Sequence, residues 1–183
     1  METITQAINE EKVLSKSEKI NISLVDIAKG IKQQLKKEYP YCKFSIQTEY
    51  YSMGCSLHIS IIETDFKIIK PFEDLSEFAI NRYTKEDGYR TIEDLKKLQE
   101  RKHHQLSCFI DSEYNPDFWN NGIFLTEQGY NLIKRIIELT NKFNWDDSDT
   151  QTDYFDVKFY THLNIGKYDK PLIEKGYYSK VEN

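Results

Sequence analysis

Phe44-Ser45-Ile46-Gln47-Thr48-Glu49-Tyr50-Tyr51-Ser52-Met53-Gly54-Cys55-Ser56-Leu57-His58-Ile59-Ser60-Ile61-Ile62 is the stretch that decides the fold. Phe44, Ile46 and Thr48 alternate with Ser45, Gln47 and Glu49; Cys55, Leu57, Ile59 and Ile61 alternate with Ser56, His58, Ser60 and Ile62. A period of two with polar alternates marks half-buried strands. Tyr50 to Gly54 is short enough to close them into a hairpin. Just upstream, Ser23 and Asp26 have the spacing of a capping box. Leu24, Ile27, Ala28, Ile31 and Leu35 then recur at helical spacing, Lys29, Lys32, Lys36 and Lys37 occupy the other face, and Pro40 forces a stop. The reading is an amphipathic helix laid on a hairpin.

The rest of the chain extends this unit. Thr126 and Gln128 open a second strong helix, with Ile133, Ile136, Ile137, Thr140 and Phe143 on its inner side. Val157, Phe159, Thr161, Leu163 and Ile165 alternate with Lys158, Tyr160, His162 and Asn164 before Gly166, which predicts a third strand. Between the hairpin and the second helix lie a helical pattern at 72–83, a turn at 86–90, a capped helix from Thr91, a strand at 106–110 and an irregular loop at 111–122. An aromatic tail carries Tyr177 and Tyr178. Residues 1–22 read as a flexible or weakly helical arm, and 23–183 as a single domain. The expected class is α+β: one antiparallel sheet of three to five strands, with helices 23–37 and 127–143 packed mainly on one face.

Composition removes several classes of function. A length of 183 residues with 13 Tyr and 10 Phe can bury a core. The net charge of -5 argues against a generic nucleic-acid coat, whose affinity comes from neutralising phosphates, but suits a basic partner. Cys42, Cys55 and Cys108 form no C-x-x-C pair and are odd in number, which predicts no disulfide framework and a reducing cytoplasm. No signal-peptide pattern and no apolar run of about 18 residues occurs, so the chain is expected to be soluble and cytoplasmic. Nucleophile-elbow, P-loop, zincin and Cys/His zinc patterns are all absent from the sequence.

Two constellations could carry function. The first is Asn144-Trp145-Asp146-Asp147-Ser148-Asp149-Thr150-Gln151-Thr152-Asp153-Tyr154-Phe155-Asp156, five carboxylates with no Lys or Arg among them. Asp146, Asp147 and Asp149 could cap turns, with Trp145, Tyr154 and Phe155 as anchors. With Asp153 they could instead face a basic partner, or Asp146, Asp147 and Asp149 could hold a hard divalent cation. No cofactor other than such a cation is expected. The spacing lacks the glycine and closing glutamate of a calcium loop.

The second constellation is the polar face that the three strands would share: Ser45, Gln47, Ser56, His58, Ser60, Lys158, Tyr160 and His162. Such a face is water-exposed in many antiparallel sheets. It could also stack single-stranded RNA, with Lys158 and Tyr160 as contacts, or let His58, Tyr160 and His162 do acid–base chemistry on a ribose hydroxyl.

The run Asp26-Ile27-Ala28-Lys29 through Lys36-Lys37-Glu38-Tyr39-Pro40-Tyr41-Cys42-Lys43-Phe44-Ser45-Ile46 resembles the opening of a large polyvalent-protein-associated domain of phages and conjugative elements, of the family 29 type. The acidic stretch, continued to Gly166-Lys167-Tyr168-Asp169-Lys170-Pro171, is similar to a late motif of that family, so that the resemblance spans residues 23–173. It implies a mobile-element origin and an anti-defence role, but no catalytic apparatus. The function expected from it is that of an anti-CRISPR protein binding a type II CRISPR effector nuclease or its guide RNA complex in the bacterial cytoplasm. The alternatives are a nuclease or cleavage-promoting factor acting on guide RNA, and a structural accessory module of the element.

Overall fold

A computed structural model of the chain describes residue 4 and residues 7–8, 14–85, 91–106, 124–149, 151–152 and 155–176. The elements are α1 (Lys16–Ile20), α2 (Leu24–Glu38), β1 (Lys43–Tyr51), β2 (Gly54–Thr64), a 3-10 turn (Phe72–Asp74), α3 (Glu77–Lys85), α4 (Ile92–Glu100), β3 (His104–Leu106), α5 (Glu127–Asn141), β4 (Tyr160–Ile165) and β5 (Ile173–Glu174). The class is α+β.

The two principal helices form where their caps and periods put them. Ser23 Oγ accepts the Asp26 amide at 3.1 Å, and Leu24, Ile27, Ala28, Ile31 and Leu35 are buried along α2. Thr126 Oγ1 accepts the Gly129 amide at 3.0 Å, and Leu132, Ile133, Ile136, Ile137, Leu139 and Thr140 are buried along α5. The helices are joined at the surface by Arg135, which donates from Nε and Nη2 to the two oxygens of Glu38 at 2.9 and 2.7 Å. Both cover one side of the sheet. Ile27, Ile31, Leu35, Leu57, Ile59, Ile61, Leu163 and Ile165, all fully buried, fill the space between.

The sheet is mixed, which corrects the expectation of a purely antiparallel one. Its order is β1-β2-β4-β3, with β5 pairing the end of β2. β1 runs antiparallel to β2 and β3 antiparallel to β4, but β4 and β5 are both parallel to β2. The connection from Thr64 to Tyr160 holds α3, α4, β3 and α5, ample chain for the crossover a parallel neighbour requires. Strand alternation reports which side chains are buried, and carries no information on a neighbour's direction.

Another departure bears on the surfaces considered below. The strand expected from Val157 begins only at Tyr160, because the three residues before it are used to hold the acidic stretch. β3 is described over His104–Leu106, and the rest of the strand expected at 106–110 lies outside the described residues. The turn at 86–90, the loop at 111–122, Cys108 and the aromatic tail lie outside the described residues. A second, smaller core joins α3 and α4 through Leu75, Ala79, Tyr83, Leu95 and Phe124. Toward the N-terminus, Ile4, Ala7, Ile8 and Leu14 are buried in the main core, so that part of the arm is docked on the domain. Among the described residues no helix is long and apolar enough to cross a membrane.

Candidate functional site

The side of the sheet away from α2 and α5 is a polar grid fixed by strand register, in which Ser56 and Ser60 of the central strand are buried among their larger neighbours. One row is Glu49, Ser56 and Tyr160; the next is Gln47, His58 and His162; the third is Ser45, Ser60, Asn164 and Gln105. Residues directly opposed across strands share a face, so each row brings its side chains within contact range. Register therefore brings His58, His162 and Tyr160 together, with Ser45, Gln47, Ser56 and Ser60 around them.

His58 Nε2 lies 3.0 Å from Glu49 Oε2 on one side. On the other its ring stacks on His162, with centroids 4.6 Å apart and planes inclined by 17°. Tyr51 Oη and Ser56 Oγ are 3.2 Å apart, and Lys167 Nζ donates to Gln47 Oε1 at 3.1 Å across the face. Tyr160 is 43% exposed at the end of the grid.

This arrangement has definite chemical consequences. Glu49 orients the His58 imidazole through this contact. Two imidazoles stacked face to face leave no space for a phosphate between them, so two-sided acid–base work requires the rings to part. Edges and exposed aromatic rings remain available for stacking and hydrogen bonding of nucleobases.

The His162 imidazole sits below its ordinary value, chiefly through burial and next through His58, against the opposite pull of Glu49. Burial also lowers His104. A histidine whose folded pKa is depressed stabilises the fold fully above its unfolded value of 6.5, and loses that contribution as the pH falls through the folded value. The thermal midpoint is expected to fall between about pH 7 and about pH 5, and to fall less in His162→Gln. Identical pH slopes for parent and variant would remove His162 as a source.

The acidic stretch is a structural joint, and its cationic partners come from the arm. Lys16 Nζ contacts Asp147 Oδ2 and Asp156 Oδ2, each at 2.5 Å, and lies 5.4 Å from the Trp145 ring centroid. Hydrogen bonds from Lys16 and then Trp145 hold the Asp156 carboxyl below the usual range, and the same two aspartates raise Lys16. Trp145 Nε1 donates to Asp156 Oδ1 at 3.0 Å, while Lys19 Nζ reaches the Asn144 carbonyl at 2.6 Å. Asp146 and Asp149 accept the amides of Ser148 and Gln151 at 3.1 and 2.9 Å, each bonding two residues on as turn-forming aspartates do.

Lys158, expected on the sheet face, lies before β4 instead. Its Nζ donates to the carbonyls of Lys19 and, at 3.0 Å, Ile22, and lies 5.2 Å from the Trp145 ring centroid. Burial lowers its pKa. Asn144 completes the joint, donating to the Phe159 carbonyl at 2.9 Å and accepting its amide at 3.2 Å.

Asp153 lies outside the described residues. Among those described, no three His, Cys, Asp or Glu side chains come together as metal ligands, and Asp146, Asp147 and Asp149 are engaged separately. Sequence reasoning passed over Glu49, whose place in the alternation put it on the grid, and Lys16, for which nothing in the arm's pattern pointed to the aspartates.

The Lys16 bridge is testable. Lys16→Ala is expected to raise trypsin cleavage at Lys19 and to shift Trp145 emission, with little change in the global thermal midpoint, because exposed ion pairs contribute little to folding. Unchanged cleavage and emission would mean that the arm is held by its buried apolar residues alone. Added salt should reproduce part of the effect.

Neither a curated protein nor a solved structure matches the chain. The model of large polyvalent protein associated domain 29 matches residues 22–117, which takes in α2, the β1–β2 hairpin, α3, α4 and β3. The stretch at 144–171 lies beyond the matched residues. Over that match, which is more than half of its length, the chain belongs to the large polyvalent protein associated domain 29 family of phages and mobile elements.

Proposed function

We propose that this domain serves a phage or conjugative element against host defence, by binding a type II CRISPR effector nuclease or its guide-RNA complex and occluding a basic nucleic-acid channel. The observation that carries this reading is the state of the acidic stretch. Asp146, Asp147 and Asp149 remain solvent-exposed while a bonded frame of Trp145, Asn144 and Lys158 holds the chain beneath them. An ordered acidic ridge on a chain of net charge -5 suits a basic groove, and its prior ordering lowers the cost of binding. Co-elution with the effector, with and without guide RNA, tests it. An Asp146→Asn/Asp149→Asn variant is expected to retain its fold and lose at least about tenfold in affinity, since charge pairs at such contacts are worth about 1.5 kcal/mol or more. No co-elution with any type II effector would end the reading.

The sheet face favours a second reading, in which the protein contacts or cleaves guide RNA. The Glu49–His58 contact and the His58–His162 stack beside Tyr160 support it. Guide RNA incubated with the protein, with and without effector and EDTA, separates the two. A shortened RNA that is absent with His162→Ala favours this alternative; intact RNA with a stable complex favours occlusion.

A further inference from the structure

A cleft of about 380 Å³ opens between the two cores, lined by none of the residues of the polar sheet face or the acidic stretch. It is bounded by the segment leading into the 3-10 turn, by α4 and by Leu172 and Glu174, and its volume falls within the roughly 300–1,000 Å³ usual for small-ligand sites. Lys67, Lys70, Lys96 and Lys102 line it, an unusual gathering of cations in an acidic chain. Lys102 is bound to Glu174 at 2.5 Å, but Lys67 makes no ion pair among the described residues. Lys96 Nζ stands 4.8 Å from the centroid of Phe72, so a cation and an aromatic ring meet on the same wall.

The acceptors on that wall are the second observation. Gln99 Nε2 donates to the Lys70 carbonyl at 2.8 Å, which fixes the orientation of the amide. Its Oε1 is then a buried acceptor with no partner, the one such side-chain atom among the described residues. Glu73 and Glu100 add carboxylates nearby. Lysines call for an anionic group; an orphaned amide oxygen and carboxylates call for N–H donors; Phe72 offers a surface for a planar ring.

We infer that this cleft binds a nucleoside phosphate whose base carries an exocyclic amine, with the phosphate at Lys67 and Lys96 and the amine turned to Gln99. Because that oxygen is buried in the free chain, its bond to the base requires the Gln99 amide to turn away from the Lys70 carbonyl on binding. Either a free mononucleotide or the 5′-phosphorylated end of a strand has this chemistry.

Calorimetric titration of the full chain with AMP, GMP, CMP, UMP, inorganic phosphate and a 5′-phosphorylated tetranucleotide tests the inference. At least one amine-bearing mononucleotide, or the tetranucleotide alone if a strand end is the source, is expected to bind saturably. UMP should bind at least tenfold more weakly than the best of the other three mononucleotides wherever these bind. Lys67→Gln/Lys96→Gln should weaken binding at least tenfold with an unchanged thermal midpoint, and Gln99→Met should erase the preference over UMP. Absence of binding by every nucleotide at millimolar concentration overturns the inference. So does equal binding of inorganic phosphate, or parental affinity in the lysine variant. The lysine variant decides the matter if Gln99→Met does not fold.

Discussion

Gly166→Val is expected to lower the thermal midpoint by about 4–24 °C. Gly166 closes β4 at a φ of 65°, a region that L side chains rarely adopt. It is also where three backbones cross. Its amide donates to the Ile61 carbonyl at 2.7 Å, and beside it the Leu172 amide donates to the Lys102 carbonyl at 2.8 Å. A Cβ on Gly166 would lie 2.1 Å from the Lys102 oxygen and 2.7 Å from the Leu172 nitrogen. Neither is the movable end of a side chain, so the strand end, the segment before β3 and the lead into β5 must separate.

Left-handed strain in a β-branched residue costs roughly 1–3 kcal/mol. Forced repacking adds roughly 1–3 kcal/mol. Their sum is a large part of a total stability of roughly 5–15 kcal/mol. Gly176 supplies the control. Its φ is also positive, at 36°, but among the described residues no atom lies within 4 Å of an added Cβ, so Gly176→Ala should lose only the local strain. Equal midpoints for Gly166→Val and Gly176→Ala would show that the crossing at Gly166 is looser than described.

The elements legible in the sequence are those whose information is local. Ser23 and Thr126 announce helix starts through bonds to amides three residues on, and α2 and α5 bury the faces their apolar periods define. β1 and β2 alternate, and the polar alternates do share one face. What stayed hidden depends on distant partners. Nothing in Tyr160–Ile165 says that its neighbour β2 runs parallel, and nothing in the arm says that Lys16 will meet Asp147 and Asp156. Lys158 shows a third kind of limit. Its place in an alternating run put it on the sheet face, but the bonds of Asn144 to Phe159 delay the strand and turn Lys158 toward Trp145. The same limit applies to the histidines: alternation put His58 and His162 on a common face, and only register could stack them.

The division of the sheet into a helix-covered side and an uncovered side predicts opposite outcomes for side chains one step of the pleat apart. Ile59→Ala is expected to cost about 2–5 kcal/mol, because a large buried side chain is removed and the surroundings close only in part around the space. Ile59 is fully buried, opposed in register by Ile46 on β1 and Leu163 on β4. α2 and α5 are held across that face by the Arg135–Glu38 pair, which limits their collapse into the gap.

Gln47 lies on the opposite face, exposed, next to Ile46 in the same strand. Gln47→Ala removes the bond from Lys167 and should change stability by no more than about 0.5 kcal/mol. Urea unfolding followed by Trp fluorescence measures both, with a lower midpoint at unchanged slope expected for Ile59→Ala. A loss below about 1 kcal/mol at Ile59 would mean that the helices do not seal that face. A loss above about 2 kcal/mol at Gln47 would mean that the polar grid is covered, and it would remove the surface on which RNA contact depends.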